Sequence, residues 1–190
     1  LDLCYPCKCT RKDIAQAMSA PQEGVNPGPD GPVYPGICRG RTMVEPTKTD
    51  AIRLDMRKAV AQMPRTLSYI ETAGETPEII EINTDKLLAE CGDIVLARKD
   101  IGTSYHLSVV VDDAAQNITH VTRGCDLAPA TAIHRLLQAL LELPTPLYRH
   151  HRLIRDESGK RLAKRDDARA IAKYRADGAS PQDVREMVGL

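Results

Sequence analysis

Alternation of apolar and polar positions predicts short strands in the first half of the chain. Residues 51–57 (AIRLDMR) alternate as a half-buried strand does, and residues 79–83 (IIEIN) and 93–98 (DIVLAR) are short runs rich in strand-forming residues. Residues 105–113 (YHLSVVVDD) have a continuous apolar centre, which predicts a strand buried on both faces, as in a parallel sheet covered by helices. Together these runs predict a sheet.

The second half predicts strands that alternate with helices. We expect strands over residues 118–124 (ITHVTRG) and within 144–151 (PTPLYRHH). Apolar residues between them recur at helical spacing: Ile133, Leu136, Leu137, Leu140 and Leu141. Two more helices are expected, at about 168–177 and after Ser180, because Ser at the cap followed by Pro181 is a helix start signal. A strand followed by a packed helix indicates an α/β fold.

A short helix and a long loop are predicted near the start of the chain. Thr10 stands three residues before Asp13, which is the spacing of a reciprocal helix cap, and the predicted helix covers residues 10–20. The stretch from Pro21 to Pro35 contains five prolines and three glycines, and neither helix nor sheet tolerates that composition. It is therefore predicted to be a surface loop.

Composition narrows the class of protein. No apolar run approaches the ~18 residues needed to span a bilayer, and the first residues lack a signal-peptide pattern, so we expect a soluble, cytoplasmic protein without a membrane partner. Lys plus Arg equals Asp plus Glu at 26 each, but ten basic and four acidic residues lie between Arg149 and Arg175. This basic stretch is either a phosphate-facing surface or an ordinary solvated helical face.

Three separated blocks resemble the catalytic domain of class I glutamyl-tRNA synthetases. They are residues 7–14 (CKCTRKDI), 105–146 (YHLSVVVDDAAQNITHVTRGCDLAPATAIHRLLQALLELPTP) and 159–168 (GKRLAKRDDA). CxC followed by YPGIC at 34–38 is similar to the branch of that family that acts on queuosine in tRNA. The resemblance implies an α/β fold in which residues 105–190 are the second half of a Rossmann-type domain and residues 1–104 are a zinc-containing α+β insertion.

The resemblance also implies an activity. Such a ligase activates glutamate with ATP and Mg²⁺ and transfers it to the queuosine base of a tRNA, which is a tRNA modification, and it is expected to be monomeric and to bind no DNA. No segment matches the family's HIGH-type motif, and only 26 residues follow Lys164, so the chain is expected to be a C-terminal fragment that is inactive alone and lacks an anticodon-binding domain. The alternatives are a fragment of a conventional glutamyl-tRNA synthetase and a non-catalytic, zinc-containing RNA-binding module.

The cysteines indicate a metal site. Cys7 and Cys9 are one residue apart, so their thiolates can turn to one ion, and no secretory signal favours disulfides. The resemblance adds Tyr34 and Cys38 as zinc ligands. Cys4 forms a CxxC pair with Cys7 and is the rival of Tyr34 as fourth ligand, and unliganded thiols are the remaining alternative. The histidines have no metal-ligand spacing to these cysteines and are expected to be core or surface residues: His106, His120, His134, His150 and His151.

The resemblance assigns glutamate binding to Tyr105 and Arg123. Arg and a Tyr hydroxyl can hold a carboxylate in a fixed direction. Asp112 and Asp113 are expected at a strand end, either lining the crevice of the sheet or solvated in a turn. Asn117 stands where the family usually has Gly, and Asn tolerates the positive φ of such a turn.

The segment RLAKR resembles the KMSKS loop of class I synthetases. It comprises Arg161, Leu162, Ala163, Lys164 and Arg165, and the resemblance makes Lys164 the catalytic, ATP-binding residue. A lysine there neutralises charge that develops on the ATP phosphates. Ala163 replaces the usual Ser, which removes one hydroxyl donor from the loop.

Overall fold

The computed structural model describes residues 2–18, 27–29, 31–44, 46–47, 49–155, 159, 162 and 170–189. Within these residues the α-helices are α1 (Arg11–Met18), α2 (Met56–Val60), α3 (Thr84–Cys91), α4 (Tyr105–Ala115), α5 (Ala128–Leu140), α6 (Ile171–Ala176) and α7 (Pro181–Met187). The strands are β1 (Cys4–Cys7), β2 (Pro27–Gly28), β3 (Gly31–Pro32), β4 (Ala51–Leu54), β5 (Thr66–Glu71), β6 (Glu78–Asn83), β7 (Val95–Ala97), β8 (His120–Gly124) and β9 (Leu147–His151).

The strands form three small sheets. An antiparallel sheet has the order β1-β4-β7, and β2 pairs with β3 in a two-stranded ribbon. The third sheet has the order β6-β5-β9-β8. In it β5 is antiparallel to β6 and parallel to β9, with Glu71 opposite Tyr148. The parallel pair brings together segments far apart in the sequence, and the mixture of sheets and helices confirms the predicted α/β class.

The predicted cap of the first helix is confirmed. The Asp13 carboxylate accepts a hydrogen bond from the backbone N–H of Thr10 (2.7 Å), and the Thr10 hydroxyl accepts one from the N–H of Asp13 (3.2 Å). Residues 19–20 of the predicted helix, and residues 21–26 and 30 of the predicted surface loop, lie outside the described residues. The prediction that the loop excludes sheet was wrong for β2 and β3, where Gly31 adopts a φ of 105° that allows the chain to reverse.

The prediction of a strand at 105–113 was wrong. These residues belong to α4, whose first turn is capped by Ser104, because its hydroxyl accepts a hydrogen bond from the N–H of Leu107 (3.4 Å). Val110 and His106 are buried one helical turn apart. An apolar run of this length fits a buried helix as well as a strand, and packing of α4 against α5 decided the outcome. Asp112 and Asp113 consequently lie in the last turn of a helix and not at a strand end.

Most other predicted elements are present with shifted ends. The strand predicted for residues 51–57 stops at Leu54, because the Asp55 carboxylate accepts hydrogen bonds from the backbone N–H groups of Arg57 and Lys58 and starts α2. Strands β6, β7, β8 and β9 and helices α5, α6 and α7 lie in the expected segments. Asn117 has a φ of 53°, the positive value expected of its turn, which here follows α4.

The hydrophobic core joins these elements. Most of the buried apolar residues come from strands β4 to β6 and helices α2 to α5, with Met56, Ala59, Ile133 and Leu136 fully buried. On α5 the predicted stripe is confirmed for Ile133, Leu136 and Leu137, whereas Leu140 is only partly buried and Leu141 is exposed. The face of α5 that carries Ile133 is therefore fixed against the core.

The chain divides into two compact units. One comprises Leu1–Arg123 with Leu127–His150, and the other comprises Gly124–Asp126 with His151–Leu190. The expected boundary between residues 104 and 105 lies inside the first unit and stays a prediction. Every helix within the described part of the chain is too short or too polar to cross a lipid bilayer.

Candidate active site and metal centre

Three cysteine side chains converge in the first unit. Cys7 ends β1, Cys9 precedes α1, and Cys38 follows a turn at Gly36, whose φ is 85°. The three sulfur atoms lie within 4.8 Å of one another, and the sulfurs of Cys9 and Cys38 are 3.5 Å apart. This cluster can hold a metal ion.

The hydroxyl of Tyr34 lies at the same cluster. Its oxygen is 3.4 Å from the sulfur of Cys7 and 3.4 Å from that of Cys9, and it accepts a hydrogen bond from the backbone N–H of Cys38 (3.0 Å). A tetrahedral zinc site with ordinary bond lengths has sulfur–sulfur edges of ~3.8 Å and sulfur–oxygen edges of ~3.6 Å. The four side chains therefore fit a single tetrahedral ion with small movements.

The rival ligand Cys4 packs elsewhere. It lies on β1 opposite Leu54 and contacts the main hydrophobic core, whereas Cys7 belongs to the separate cluster around Tyr34. Burial raises the pKa of the Cys4 thiol. The separate packing of Cys4 favours Tyr34 over Cys4 as the side chain nearest to a bound ion.

Arg53 supports the cysteine cluster from β4. Its guanidinium carbon lies 3.8 Å from the centre of the Tyr34 ring, and its Nε donates a hydrogen bond to the sulfur of Cys7 (3.4 Å). The same guanidinium donates to the backbone carbonyl of Asp93 (2.7 Å), and the Asp93 carboxylate accepts the hydroxyl hydrogen of Tyr5 (2.5 Å). Arg53 therefore orients the cluster and places a positive charge beside sulfur atoms that become negative in a metal complex.

The ionisation of the cluster is uneven. Burial raises the pKa of the Cys9 thiol to about 11. For Cys38 burial opposes ionisation, but hydrogen bonds from the backbone N–H of Lys8 and with Tyr34 outweigh it and lower the pKa to about 7. Burial and the neighbouring thiols raise the pKa of Tyr34 far above its usual value. Of these three groups Cys38 is the first to supply an anion, and a metal ion would displace the protons of the others.

The second candidate site is centred on Arg123 of β8. Its Nε donates to Nε2 of His150 (3.1 Å), one Nη contacts Nδ1 of His134 (3.1 Å), and the other Nη donates to the hydroxyl of Thr131 (2.6 Å). The guanidinium also lies 5.4 Å from the centre of the Tyr148 ring. Arg123 is thus held on several sides by the side chains of His150, His134 and Thr131.

Helix α5 supplies two of these contacts because of its periodicity. Thr131, His134 and Gln138 are buried and follow at three- and four-residue spacing, so they form one polar row on the helix. The amide of Gln138 donates to the hydroxyl of Tyr148 on β9 (2.9 Å). This polar row faces β8 and β9, and the adjacent apolar row faces the core.

Strand β9 supplies the contacts on the other side. Tyr148 and His150 are buried, whereas Arg149 and His151 are exposed, as expected for alternating strand positions. The rings of Tyr148 and His150 stack in parallel planes, with centres 5.9 Å apart. Nδ1 of His150 lies 2.5 Å from a carboxylate oxygen of Glu71, which is placed by the parallel pairing of β5 and β9.

The two residues assigned to glutamate binding meet at one histidine. Tyr105 begins α4, its side chain is 53% exposed, and its ring centre is 5.7 Å from that of His134. His134 in turn contacts Arg123. The structure therefore places a half-exposed tyrosine and an anchored arginine against the same histidine.

The KMSKS-like loop falls mostly outside the described residues. Arg161, Ala163, Lys164 and Arg165 are outside, and of the loop only Leu162 is described, with its N–H donating to the carbonyl of Ile154 (3.0 Å). Much of the basic stretch is outside as well.

Burial raises the pKa of the Asp113 carboxyl at the end of α4.

The sequence did not reveal the residues that hold Arg123. The predicted core or surface placement of the histidines is correct, since His106, His134 and His150 are buried and His120 and His151 are exposed. Their contacts with Arg123 and Glu71 were not foreseen. One signal in the sequence could have indicated them. Thr131 and His134 form a polar row at helical spacing on a helix whose other buried positions are mainly apolar.

Comparison with known proteins points to one family. Residues 60–190 match the family model of the class I tRNA synthetase (E and Q) catalytic domain. Proteins named glutamyl-Q tRNA(Asp) synthetase are similar over almost the whole chain. The protein from Rhodobacter capsulatus is 54% identical, and the match covers 99% of this chain and 67% of that protein. The protein from Nocardia farcinica is 39% identical, and the match covers 96% of this chain and 53% of that protein. The relative from Albidiferax ferrireducens is 40% identical, and the match covers 89% of this chain and 57% of that protein.

Solved structures share the fold. A crystal structure of glutamate-tRNA synthetase from Elizabethkingia anophelis is 24% identical, with a TM-score of 0.58, over 87% of this chain and 33% of that one. A glutamate tRNA ligase from Elizabethkingia meningosepticum, in complex with its amino acid, gives the same TM-score at 25% identity. The chain thus spans about half to two thirds of the curated relatives reported and a third of these structures.

Proposed function

Because this chain belongs to the family of class I tRNA synthetases for glutamate and glutamine, we propose that its gene product activates glutamate with ATP and transfers it to the queuosine base of a tRNA. The anchored guanidinium of Arg123, which shares the neighbour His134 with the half-exposed Tyr105, is the observation that carries the proposal. The names of the relatives from Rhodobacter, Nocardia and Albidiferax support the queuosine acceptor over a conventional tRNA end.

The chemistry of Arg123 suits a carboxylate. Arginine has five N–H donors and no acceptor, and three of them have partners in His150, His134 and Thr131. One N–H on each terminal nitrogen remains for a substrate carboxylate, and two parallel bonds of this kind fix both its position and its direction. The hydroxyl of Tyr105 then supplies a further polar contact.

The proposed reaction has two steps. An oxygen of the glutamate carboxylate attacks the α-phosphorus of ATP, and pyrophosphate leaves with its Mg²⁺. A hydroxyl of the queuosine base then attacks the activated carbonyl, its proton is released, and AMP leaves. Lys164 stabilises the charge that develops on the phosphates in the first step, as expected from its place in the KMSKS-like loop.

Zinc is the metal that best suits the cysteine cluster. We propose Cys7, Cys9, Tyr34 and Cys38 as its ligands. With four protein ligands a bound ion would cross-link the end of β1 to the 34–38 turn and would leave no open position for catalysis. The segment around it, within residues 1–104, would then form the zinc-supported, acceptor-type insertion.

Isotopic exchange between ATP and pyrophosphate tests the activation step. The complete gene product that contains this chain should exchange label in a manner that depends on glutamate, and glutamine should not replace it. tRNA binding without any exchange, at any glutamate concentration, would instead favour a zinc-containing RNA-binding module.

A further inference from the structure

We propose that Glu71 and His150 are positioning residues for Arg123, and that Glu71 does this by fixing which nitrogen of His150 carries the proton. The inference rests on the proposed role of Arg123 in binding a carboxylate. Glu71 lies on β5 and His150 on β9, and neither belongs to the motifs that carry the family resemblance.

The proton positions follow from the chemistry of arginine. Because a guanidinium only donates hydrogen bonds, Nε2 of His150 must accept the bond from Nε of Arg123 (3.1 Å). Nε2 therefore bears a lone pair, and the ring proton is on Nδ1. Nδ1 lies 2.5 Å from Oε2 of Glu71, so it donates to that carboxylate.

The opposite side of Arg123 shows the reversed arrangement. Nδ1 of His134 accepts from Arg123 (3.1 Å), so the proton of His134 is on Nε2. Nε2 then donates to Nδ1 of His106, at 3.0 Å. Two uncharged imidazoles with opposite proton positions thus grip the guanidinium, and the hydroxyl of Thr131 accepts a third bond (2.6 Å).

Glu71 is held in the orientation this arrangement needs. Its Oε1 accepts three backbone N–H bonds, from Thr72, Ala73 and His150, each 3.0 Å long. Oε2 is left facing the ring of His150. These bonds also lower the pKa of Glu71: burial alone would raise it, but the side-chain and backbone bonds with His150 and the bond from Ala73 outweigh burial.

A glutamine at position 71 would reverse the proton on His150. The three backbone donors hold the amide oxygen in the place of Oε1, so the amide nitrogen faces Nδ1 of His150 and donates to it. The ring proton then moves to Nε2, which lies 3.1 Å from both the hydroxyl of Thr131 and Nε of Arg123, and Nε is also a donor. Arg123 loses its acceptor and turns away from the direction in which it meets the substrate.

The test measures glutamate-dependent exchange in the complete gene product. Glu71→Gln should raise the KM for glutamate about tenfold, with the KM for ATP and the maximal rate within twofold of the unsubstituted enzyme. Glu78→Gln is the matched control, because Glu78 is exposed and pairs with Glu71 across β5 and β6. It should leave the KM for glutamate unchanged.

A second pair of variants separates positioning from a general structural effect. Gln at position 150 places an amide oxygen where Nε2 of the histidine lies, and it accepts from Arg123 whatever residue 71 is. Glu71→Gln should therefore change the KM for glutamate less than twofold in the His150→Gln background. The same tenfold effect in both backgrounds, or no effect in the native background, would overturn the proposal.

The proton positions are also directly measurable in the unsubstituted protein. Long-range ¹H–¹⁵N spectra, assigned with His150→Gln and His134→Gln, should show the Nδ1–H form for His150 and the Nε2–H form for His134 at neutral pH. A charged His150, or its Nε2–H form, would overturn the proposal even if Glu71→Gln failed to fold. Absence of exchange by the unsubstituted protein would instead reject the proposed function, so the two failures are distinguishable.

Discussion

Substitution of Tyr34 by Phe removes only the hydroxyl that lies at the cysteine cluster. That oxygen is 3.4 Å from two of the sulfur atoms and accepts the backbone N–H of Cys38 at 3.0 Å. Four-ligand structural zinc sites contribute about 10–16 kcal/mol of binding free energy, so one ligand accounts for about 2.5–4 kcal/mol. We therefore expect the dissociation constant for zinc to rise by about two to three decades.

Competition with a chromophoric chelator measures this dissociation constant at fixed pH. Tyr5→Phe is the matched control, because Tyr5 packs in the same apolar cluster but its hydroxyl donates to Asp93 and not to a sulfur. Its zinc affinity should stay close to that of the unsubstituted protein. Cys4→Ser should also retain zinc. Retention of full affinity by Tyr34→Phe, together with loss on Cys4→Ser, would refute the ligand assignment.

Five other substitutions test separate parts of the structure. Arg123→Ala should raise the KM for glutamate in the exchange assay by about one to two decades, because it removes charge-assisted bonds to a carboxylate, whereas Lys164→Ala should lower the maximal rate about 10²–10³-fold with little change in that KM. The opposite pattern would mean that Arg123 acts on the ATP phosphates and Lys164 binds glutamate. Since hydrogen bonds lower the pKa of Glu71 in the folded state, its contribution to the free energy of unfolding is complete above the ordinary value of 4.5 and is lost as the pH falls through the lowered pKa. Urea titrations of Glu71→Gln should accordingly show a weaker loss of stability with acid than the unsubstituted protein, and parallel curves would contradict this. Asn117, with its φ of 53°, should tolerate Gly, whereas Asn117→Val should lower the free energy of unfolding by about 1–2 kcal/mol in the same titrations, and equal stability would show that the turn relaxes.

Local sequence signals predicted the elements whose determinants are local. The Thr10 and Asp13 cap, the apolar stripe of α5 and the turn at Asn117 each depend on residues a few positions apart. The convergence of Cys7 with Tyr34 was foreseen only because the family resemblance supplied it, since nothing in their spacing requires a contact.

Features that depend on distant packing were missed. The run Val109–Val111 has strand-forming side chains, yet α4 forms because Ser104 caps it and α5 packs beside it. The pair Glu71 and His150 is 79 residues apart and meets only through the parallel pairing of β5 and β9. No periodic pattern in the sequence indicates that β5 and β9 pair, so the contacts that hold Arg123 could not be predicted from the sequence.

Transfer of labelled glutamate to tRNA tests the proposed function most directly. The complete gene product should label a tRNA that carries queuosine, in the presence of ATP, and should not label the same tRNA without the modification. Nuclease digestion should then release the label with the queuosine nucleoside. Equal labelling of both tRNAs, with the label on the 3′-terminal adenosine, would contradict the proposal and identify a conventional glutamyl-tRNA synthetase.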